Sequence, residues 1–303
     1  MAVRLKELPK RRYGQPGNAA CPGCPETMGL RYLKMALGDD AVLVVPASCI
    51  SVIQGIYPRS GINFPILNTV FAAAASTAAG MSAGFRLRGM DNVKVVVYAG
   101  DGGTADIGLQ AISGAAERND DILYICVDNE AYMNTGIQRS SATPYGAWTT
   151  TTVTGKTEQK KNVPLILISH GVPYVATASV GYPLDFIEKV RKASQIKGFK
   201  YIHLLAPCPI GWRFDPSLTA KMAQLAVKTG FFPLYEYYKG KLTISPPSRP
   251  FRDPKRRTPL IEYLKLQGRY RHILNDPNAL KRIEEYIDEQ WRWLNLLEST
   301  NGH

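Results

Sequence analysis

The sequence has no long apolar run, only four histidines in 303 residues, and 25 acidic side chains against 37 basic ones. Each shortage excludes something. The stretch nearest to a membrane span, Val70–Phe85, is built largely from Ala, Gly, Ser and Thr. It is too weakly apolar to cross a bilayer and reads as a closely packed interior helix, so no membrane partner is expected. Met1–Arg12 is basic and leads into turn residues, so no export signal is expected and a cytoplasmic location follows. Histidine offers no cluster for metal or acid–base work. His203 lies in an apolar strand pattern and reads as a satisfied core residue, His170 sits at a turn, and His272 and His303 fall in the tail. Cysteine is scarce and odd in number: Cys21, Cys24, Cys49, Cys126 and Cys208. Without an export signal a disulfide framework is not expected, and metal or cluster binding becomes the question.

The net charge of +12 is uneven. Residues 1–12 hold five basic side chains against Glu7, and residues 249–272 hold eight against Asp253 and Glu262. The remaining body is near neutral. A nucleic-acid binder builds its basic face on the folded domain, often with aromatics between the charges, so no nucleic acid is expected. Charge on extensions fits arms that grip other subunits or an acidic carrier protein, with solvated arms as the alternative.

Alternating strand and helix signals predict one doubly wound, mostly parallel α/β unit with a tail. Residues 1–20 read as an irregular arm, 21–212 as the α/β domain, and 213–303 as an extension for subunit contacts. Strands are expected at Ala41–Pro46, Val93–Ala99, Ile122–Val127 and Val172–Thr177, with Tyr201–Ala206 closing the sheet. Helices are expected at about 26–37, 69–87, 106–118, 183–195, 216–228 and 277–297, the third capped by Asp106. Tyr57–Pro65 reads as a loop, Phe232–Tyr238 as a small strand and hairpin around Lys239–Gly240, and Ser245–Pro259 as an extended arm.

Two features carry chemistry. Gly100–Asp101–Gly102 closes a buried-type strand, and Asn129 follows the next one after 26 intervening residues. A strand–helix–strand crossover brings both ends to one edge of the sheet, where open α/β sheets bind ligands. An acidic oxygen, an amide oxygen and glycine backbone at one edge suit a hard divalent cation holding a diphosphate. The second feature is Cys21-Pro-Gly-Cys24, whose spacing lets both sulfurs face one metal or cluster. A redox dithiol, a zinc knuckle and cluster ligation all remain open for the pair alone. Cys49 and Cys208 each follow a predicted strand and so fall at the edge that holds Asp101. The polar stretch after Asn129, with Asn134 and Thr135, is of a length that is more often functional than idle.

Gly-Asp-Gly with its distant Asn129 resembles the thiamin-diphosphate signature. With the four cysteines, Tyr132-Met-Asn-Thr-Gly136 and Ala206-Pro-Cys-Pro-Ile-Gly-Trp212, the chain resembles the β subunit of pyruvate:ferredoxin oxidoreductase over nearly its whole length. The resemblance implies Asp101, Asn129 and the Ala131 carbonyl as Mg2+ ligands, and close approach of the diphosphate to Gly100, Gly102 and Gly103. It implies one [4Fe–4S] cluster on Cys21, Cys24, Cys49 and Cys208, with Asn134 touching substrate and Ile50, Val52, Thr135 and Glu26 beside the cofactor. Cys126 has no place in it and reads as a buried structural thiol. The implied reaction is oxidative decarboxylation of a 2-oxoacid, pyruvate first, with coenzyme A taking the acyl group and electrons leaving through the cluster to ferredoxin. The family places the glutamate that activates the aminopyrimidine on the α subunit, so α, γ and ferredoxin-like δ subunits are implied partners. Pro25, where the family commonly has glycine, and the loop at Ser60–Asn63 depart from the pattern. They leave oxalate, branched-chain and aromatic 2-oxoacids open, and a non-catalytic zinc or cluster scaffold is the reading of a different class.

Overall fold

The computed structural model describes residues 8, 14, 17–56, 58 and 60–300. Most of the basic arm at 1–20, with Tyr57 and Arg59, lies outside the described residues. Eight strands form one sheet in the order β2-β1-β3-β4-β6-β5-β7-β8. They are β1 (Ala41–Pro46), β2 (Ile66–Thr69), β3 (Lys94–Gly100), β4 (Leu123–Asp128), β5 (Tyr174–Ser179), β6 (Lys200–Leu205), β7 (Tyr235–Tyr238) and β8 (Lys241–Ile244). The first six run parallel, and the β7–β8 hairpin adds antiparallel to β5.

β4, β5 and β6 are buried at all six positions, which is why they read as unbroken apolar runs instead of alternating ones. Alternate residues still feed different layers. Val96 and Tyr98 of β3 face one core with Leu33, Ile125 and Phe186, while Val95, Val97 and Ala99 face another with Ala78, Ile112 and Tyr124. The first layer is covered by α1 (Pro25–Leu37) and α6 (Pro183–Ser194), the second by α3 (Ala74–Leu87), α4 (Leu109–Glu117) and α5 (Val163–Ser169). Between β1 and β2 lies α2 (Cys49–Gln54).

Four expectations are corrected. Tyr201–Ala206 does not close the sheet: β6 is interior, and β5 with the hairpin lies outside it. Asp106 caps no helix, because a π turn at Gly102–Asp106 precedes α4; its carboxylate instead accepts the Tyr132 hydroxyl at 2.7 Å and the Ser141 N–H. The expected helix at 69–87 begins at Ala74, since Ile66–Thr69 pairs with β1. Ser245–Pro259 is no free arm: short 3-10 turns at 249–252 and 254–256 tie it to the last helix, α10 (Pro277–Ser299), through Arg252–Glu298 and Arg257–Asp288.

Residues 213–300 join the sheet through β7 and β8 and build a third core. There Met222 and Val227 of α8 (Thr219–Lys228) and Tyr263 of α9 (Leu260–Leu264) meet Ile283, Ile287 and Trp291 of α10. The short helix α7 (Pro209–Trp212) inserts Trp212 into this core.

The carboxyl edge is organised where the chain leaves two adjacent strands in opposite directions, from β1 outward to β2 and from β3 inward to β4. That divergence opens a crevice. Tyr98 pins α1 over it by donating to the Glu26 carbonyl at 2.9 Å. Gly29 permits this approach, since a Cβ there would fall inside contact distance of the Tyr98 hydroxyl. Gly29→Ala is therefore expected to lower stability by about 1–3 kcal/mol through overpacking, read as a lower urea midpoint. Combining it with Tyr98→Phe, which removes the clashing oxygen, should recover part of that loss.

Candidate functional site

The site forms at the carboxyl ends of β1, β3, β4 and β6, capped by the amino end of α1. Gly100 pairs with Val127 in the β3–β4 ladder, so Asp101 and Asn129 emerge from neighbouring strands as the crossover argument requires. Asp101 is 1% exposed, and its Oδ2 accepts the Ser140 hydroxyl at 2.5 Å. Burial, and then the charge of Asp128, holds its carboxyl well above the usual range, against the Ser140 hydrogen bond and Lys160. The Asn129 Nδ2 donates to Glu26 Oε1 at 3.0 Å, and its Oδ1 has only a long 3.4 Å contact with the Ala131 N–H. Nothing lies within 4 Å of where a Gly100 Cβ would stand, so the strand end opens on free space. At Gly102 and Gly103 the equivalent space is taken by the rings of Tyr132 and Phe71.

Asp128 and Glu130, on either side of Asn129, are completely buried and share one ammonium. Lys160 Nζ lies 2.5 Å from Asp128 Oδ2 and 2.8 Å from Glu130 Oε1. Asp128 Oδ2 also meets His203 Nε2 at 2.8 Å, and Arg269 donates to Glu130 Oε2 at 2.7 Å. Burial would raise Asp128, but Lys160 and His203 hold it well below the ordinary carboxylate range. His203 thus has a partner at each ring nitrogen, with Tyr201 at Nδ1, in keeping with a satisfied core residue.

The cysteines arrive by a common device. Cys24 is the N-cap of α1, Cys49 the first residue of α2, and Cys208 the N-cap of α7. Helix amino ends stabilise thiolates, and the sulfurs receive backbone N–H groups: Thr27 and Glu26 on Cys24, Gly211 and Ile210 on Cys208. Gly23, with φ +68°, lets the Cys-Pro-Gly-Cys turn lie flat on Pro216, and the Thr219 hydroxyl donates to its carbonyl at 2.8 Å. Cys21 is exposed. Burial, together with the charges of Glu26 and of each other, pushes Cys24 up to about 12 and Cys208 up to about 11, with Cys49 raised further still. The four are close enough to repel one another as thiolates. Among the described residues, however, no group of three or more His, Cys, Asp or Glu side chains is already drawn together at metal-binding distance.

The remaining expected residues spread out. Ile50 is 1% exposed and belongs to the core, whereas Val52 is half exposed. Asn134 and Thr135 stand exposed at a loop tip, where the Thr135 hydroxyl closes its own turn on Gln138 at 2.8 Å. Met133 seats its sulfur in the space left by Gly211, which sets this loop on the Cys208 helix. Trp212 Nε1 donates to the Asn129 carbonyl at 2.8 Å, joining the same helix to the end of β4. Sequence reasoning missed Ser140, Lys160, Trp212 and Arg269. Trp212 stands in the quoted cysteine segment, but nothing near the other three signals the distant carboxylate each one serves.

The family model for the thiamine pyrophosphate enzyme, C-terminal TPP binding domain, matches residues 49–204. Pyruvate synthase subunit PorB of Methanothermobacter thermautotrophicus is 48% identical over 287 residues, covering 93% of this chain and 97% of the relative. The chain belongs to the PorB/VorB family. Ketoisovalerate oxidoreductase subunit VorB of Pyrococcus abyssi is 47% identical over 317 residues, covering 99% and 100%. A solved 2-oxoglutarate:ferredoxin oxidoreductase from Magnetococcus marinus, with 2-oxoglutarate, coenzyme A and succinyl-CoA bound, shares the fold with TM-score 0.58 and 23% identity over 72% of this chain and 81% of that chain. The family is thus one of thiamin-diphosphate-dependent oxidoreductases, and these relatives are named as subunits. Among its described residues no helix is long and apolar enough to cross a membrane.

Glu26 gives this site a pH signature. Burial pushes its carboxyl up to about 7, against hydrogen bonds from Asn129 and Cys49. The folded chain then holds a proton that the unfolded chain has lost, so stability falls as pH rises from the unfolded value through about 7 and levels above it. The loss amounts to about 3 kcal/mol for the cofactor-free chain. Glu26→Gln, which cannot ionise, should flatten that part of the stability–pH curve measured by chemical denaturation between about pH 4.5 and 8.

Proposed function

We propose that this PorB/VorB chain is the β subunit of a 2-oxoacid:ferredoxin oxidoreductase that holds thiamin diphosphate and one [4Fe–4S] cluster side by side. The observation that carries the reading is the meeting of two donor sets of different chemistry at one sheet edge. Glu26 meets the Asn129 amide, next to the strand end that carries Asp101, and also meets Cys49, which is within electrostatic reach of Cys21, Cys24 and Cys208. Glu26 touches both sets.

The residues fit the groups. Asp101 and Asn129, with the Ala131 carbonyl, would hold Mg2+; a divalent cation would offset the burial and the Asp128 charge that raise the Asp101 carboxyl. Gly100 leaves room at the strand end for a diphosphate. Four thiols, three of them at helix amino ends and two with backbone N–H donors, suit a cluster, since hydrogen bonds to sulfur help set its potential. Bound thiamin diphosphate supplies the carbanion chemistry that cleaves a 2-oxoacid, and the cluster accepts single electrons. The chain's own part is to anchor the diphosphate through the cation, exclude water by burial of the β3 and β4 ends, and orient the amide of Asn129. Val52, Asn134 and Thr135 are exposed, on the side where substrate, coenzyme A and partner subunits would approach. The aminopyrimidine-activating glutamate is assigned to an α subunit, and the electrons pass to a ferredoxin-like δ subunit and ferredoxin. In this reading residues 213–303 and the basic arm at 1–20 serve contacts with the α, γ and δ subunits, 21–212 is the cofactor domain, and the assembly works in the cytoplasm.

The test is chemical analysis and turnover. The chain purified without oxygen should contain iron and sulfide with a visible band that bleaches when partner subunits, 2-oxoacid and coenzyme A are added. Cys49→Ser should lose most of the iron and the bleaching. The chain alone should turn over no pyruvate. Zinc without iron or sulfide, or turnover by the chain alone, overturns the reading.

The near-equal likeness to PorB and VorB relatives supports a second substrate, a branched-chain 2-oxoacid, within the same chemistry. A panel of 2-oxoacids ranked by kcat/KM with viologen as acceptor separates the two, the higher value naming the substrate.

A further inference from the structure

Asn129 lies between two buried carboxylates that one lysine holds together. Asp128 is the last residue of β4, and in extended chain neighbouring residues point to opposite sides. Lys160 can bridge Asp128 and Glu130, at 2.5 and 2.8 Å, only with both side chains on one side. That arrangement turns Asn129 towards Glu26 on the opposite side, where its Nδ2 is bonded. The turn needs such a clamp. Glu130 adopts φ +68°, an uncommon backbone state for a residue other than glycine. It is held there by the Asp128 Oδ1 contact to its own N–H at 3.0 Å and by the Thr143 hydroxyl on its carbonyl at 2.7 Å. Charge points the same way. Asp101, Asp128 and Glu130 are all buried, and Lys160, largely covered, and the buried Arg269 are the cations paired with Asp128 and Glu130. Among the described residues no ion pair reaches Asp101, whose partner is the Ser140 hydroxyl, and that carboxyl is left to be met by a ligand.

We propose that Lys160 is a positioning residue that, by clamping Asp128 to Glu130, aims the amide oxygen of Asn129 at the cation and so sets cation affinity. This rests on the reading that Asp101 and Asn129 hold a divalent cation with the diphosphate. Lys160 touches neither group itself and acts through the chain on each side of Asn129.

The probe is Mn2+, titrated into the full chain in its assembled complex with thiamin diphosphate present and followed by the electron paramagnetic resonance of free and bound ion. Lys160→Met should raise the half-saturating Mn2+ about tenfold or more, the loss typical when an outer partner of a metal ligand is removed. Lys160→Arg, which keeps the charge and can still bridge, should restore most of it. A lone Lys160→Met leaves buried carboxylates uncompensated, so Lys160→Met/Asp128→Asn is measured beside it; it removes one charge of each sign and keeps Glu130 paired with Arg269. The double variant should show the same weakened Mn2+ binding with a thermal midpoint near that of the parent. Parent-like Mn2+ affinity in the folded double variant overturns the proposal. Asp101→Asn is the separate control: it should abolish saturable Mn2+ binding, and parent-like binding there overturns the cation reading, and the proposal with it.

Discussion

The site depends on keeping several carboxylates dry. Asp101, Asp128, Glu130 and Glu26 are all buried at or next to the carboxyl edge, where an unpaired charge costs several kcal/mol. The structure meets this cost differently at each one. Asp128 and Glu130 have internal cations, Glu26 has a raised pKa and an amide partner, and Asp101 has a hydroxyl and little else. The least compensated group is the one at the open strand end. The protein answers Asp128 and Glu130 from within, and this carboxyl is left without an ion pair among the described residues.

The cysteine side solves an opposite problem. Thiols are easy to bury but hard to ionise there. The chain brings Cys24, Cys49 and Cys208 each to the amino end of a helix, so that backbone N–H groups do part of the work a cation would do. Residual repulsion among the sulfurs and Glu26 is left for the ligand to remove. Both halves of the site therefore hold acids whose ionised forms burial disfavours, and both lie at the carboxyl edge where β1 and β3 diverge.

Much of this was legible in the sequence, for a physical reason. A strand–helix–strand crossover leaves no freedom over which edge its ends share, so Asp101 and Asn129 had to be neighbours, and Cys49 and Cys208 had to join them. Long buried strands were equally plain. Short elements were not: β2 has four residues and α2 six, too few for a period to show. The run Val163–Ser169 is nearly all apolar and hides the face of α5. Least legible were contacts between distant charges. Glu26 lies 103 residues from Asn129 and Arg269 lies 139 from Glu130, and nothing local to Arg269 separates it from the exposed arginines of the same basic segment. Reading that segment by charge alone made an outward arm of a stretch that turns one of its arginines into the core.

The four-residue helix α7 begins after Cys208 and ends on Trp212, whose indole holds the Asn129 carbonyl. One turn of helix spans about 5 Å, so the sulfur that would bind iron and the indole that steadies the cation's amide are the two ends of a single short lever. In the proposed reading, a change at this turn would therefore touch the cluster ligand and the diphosphate anchor together.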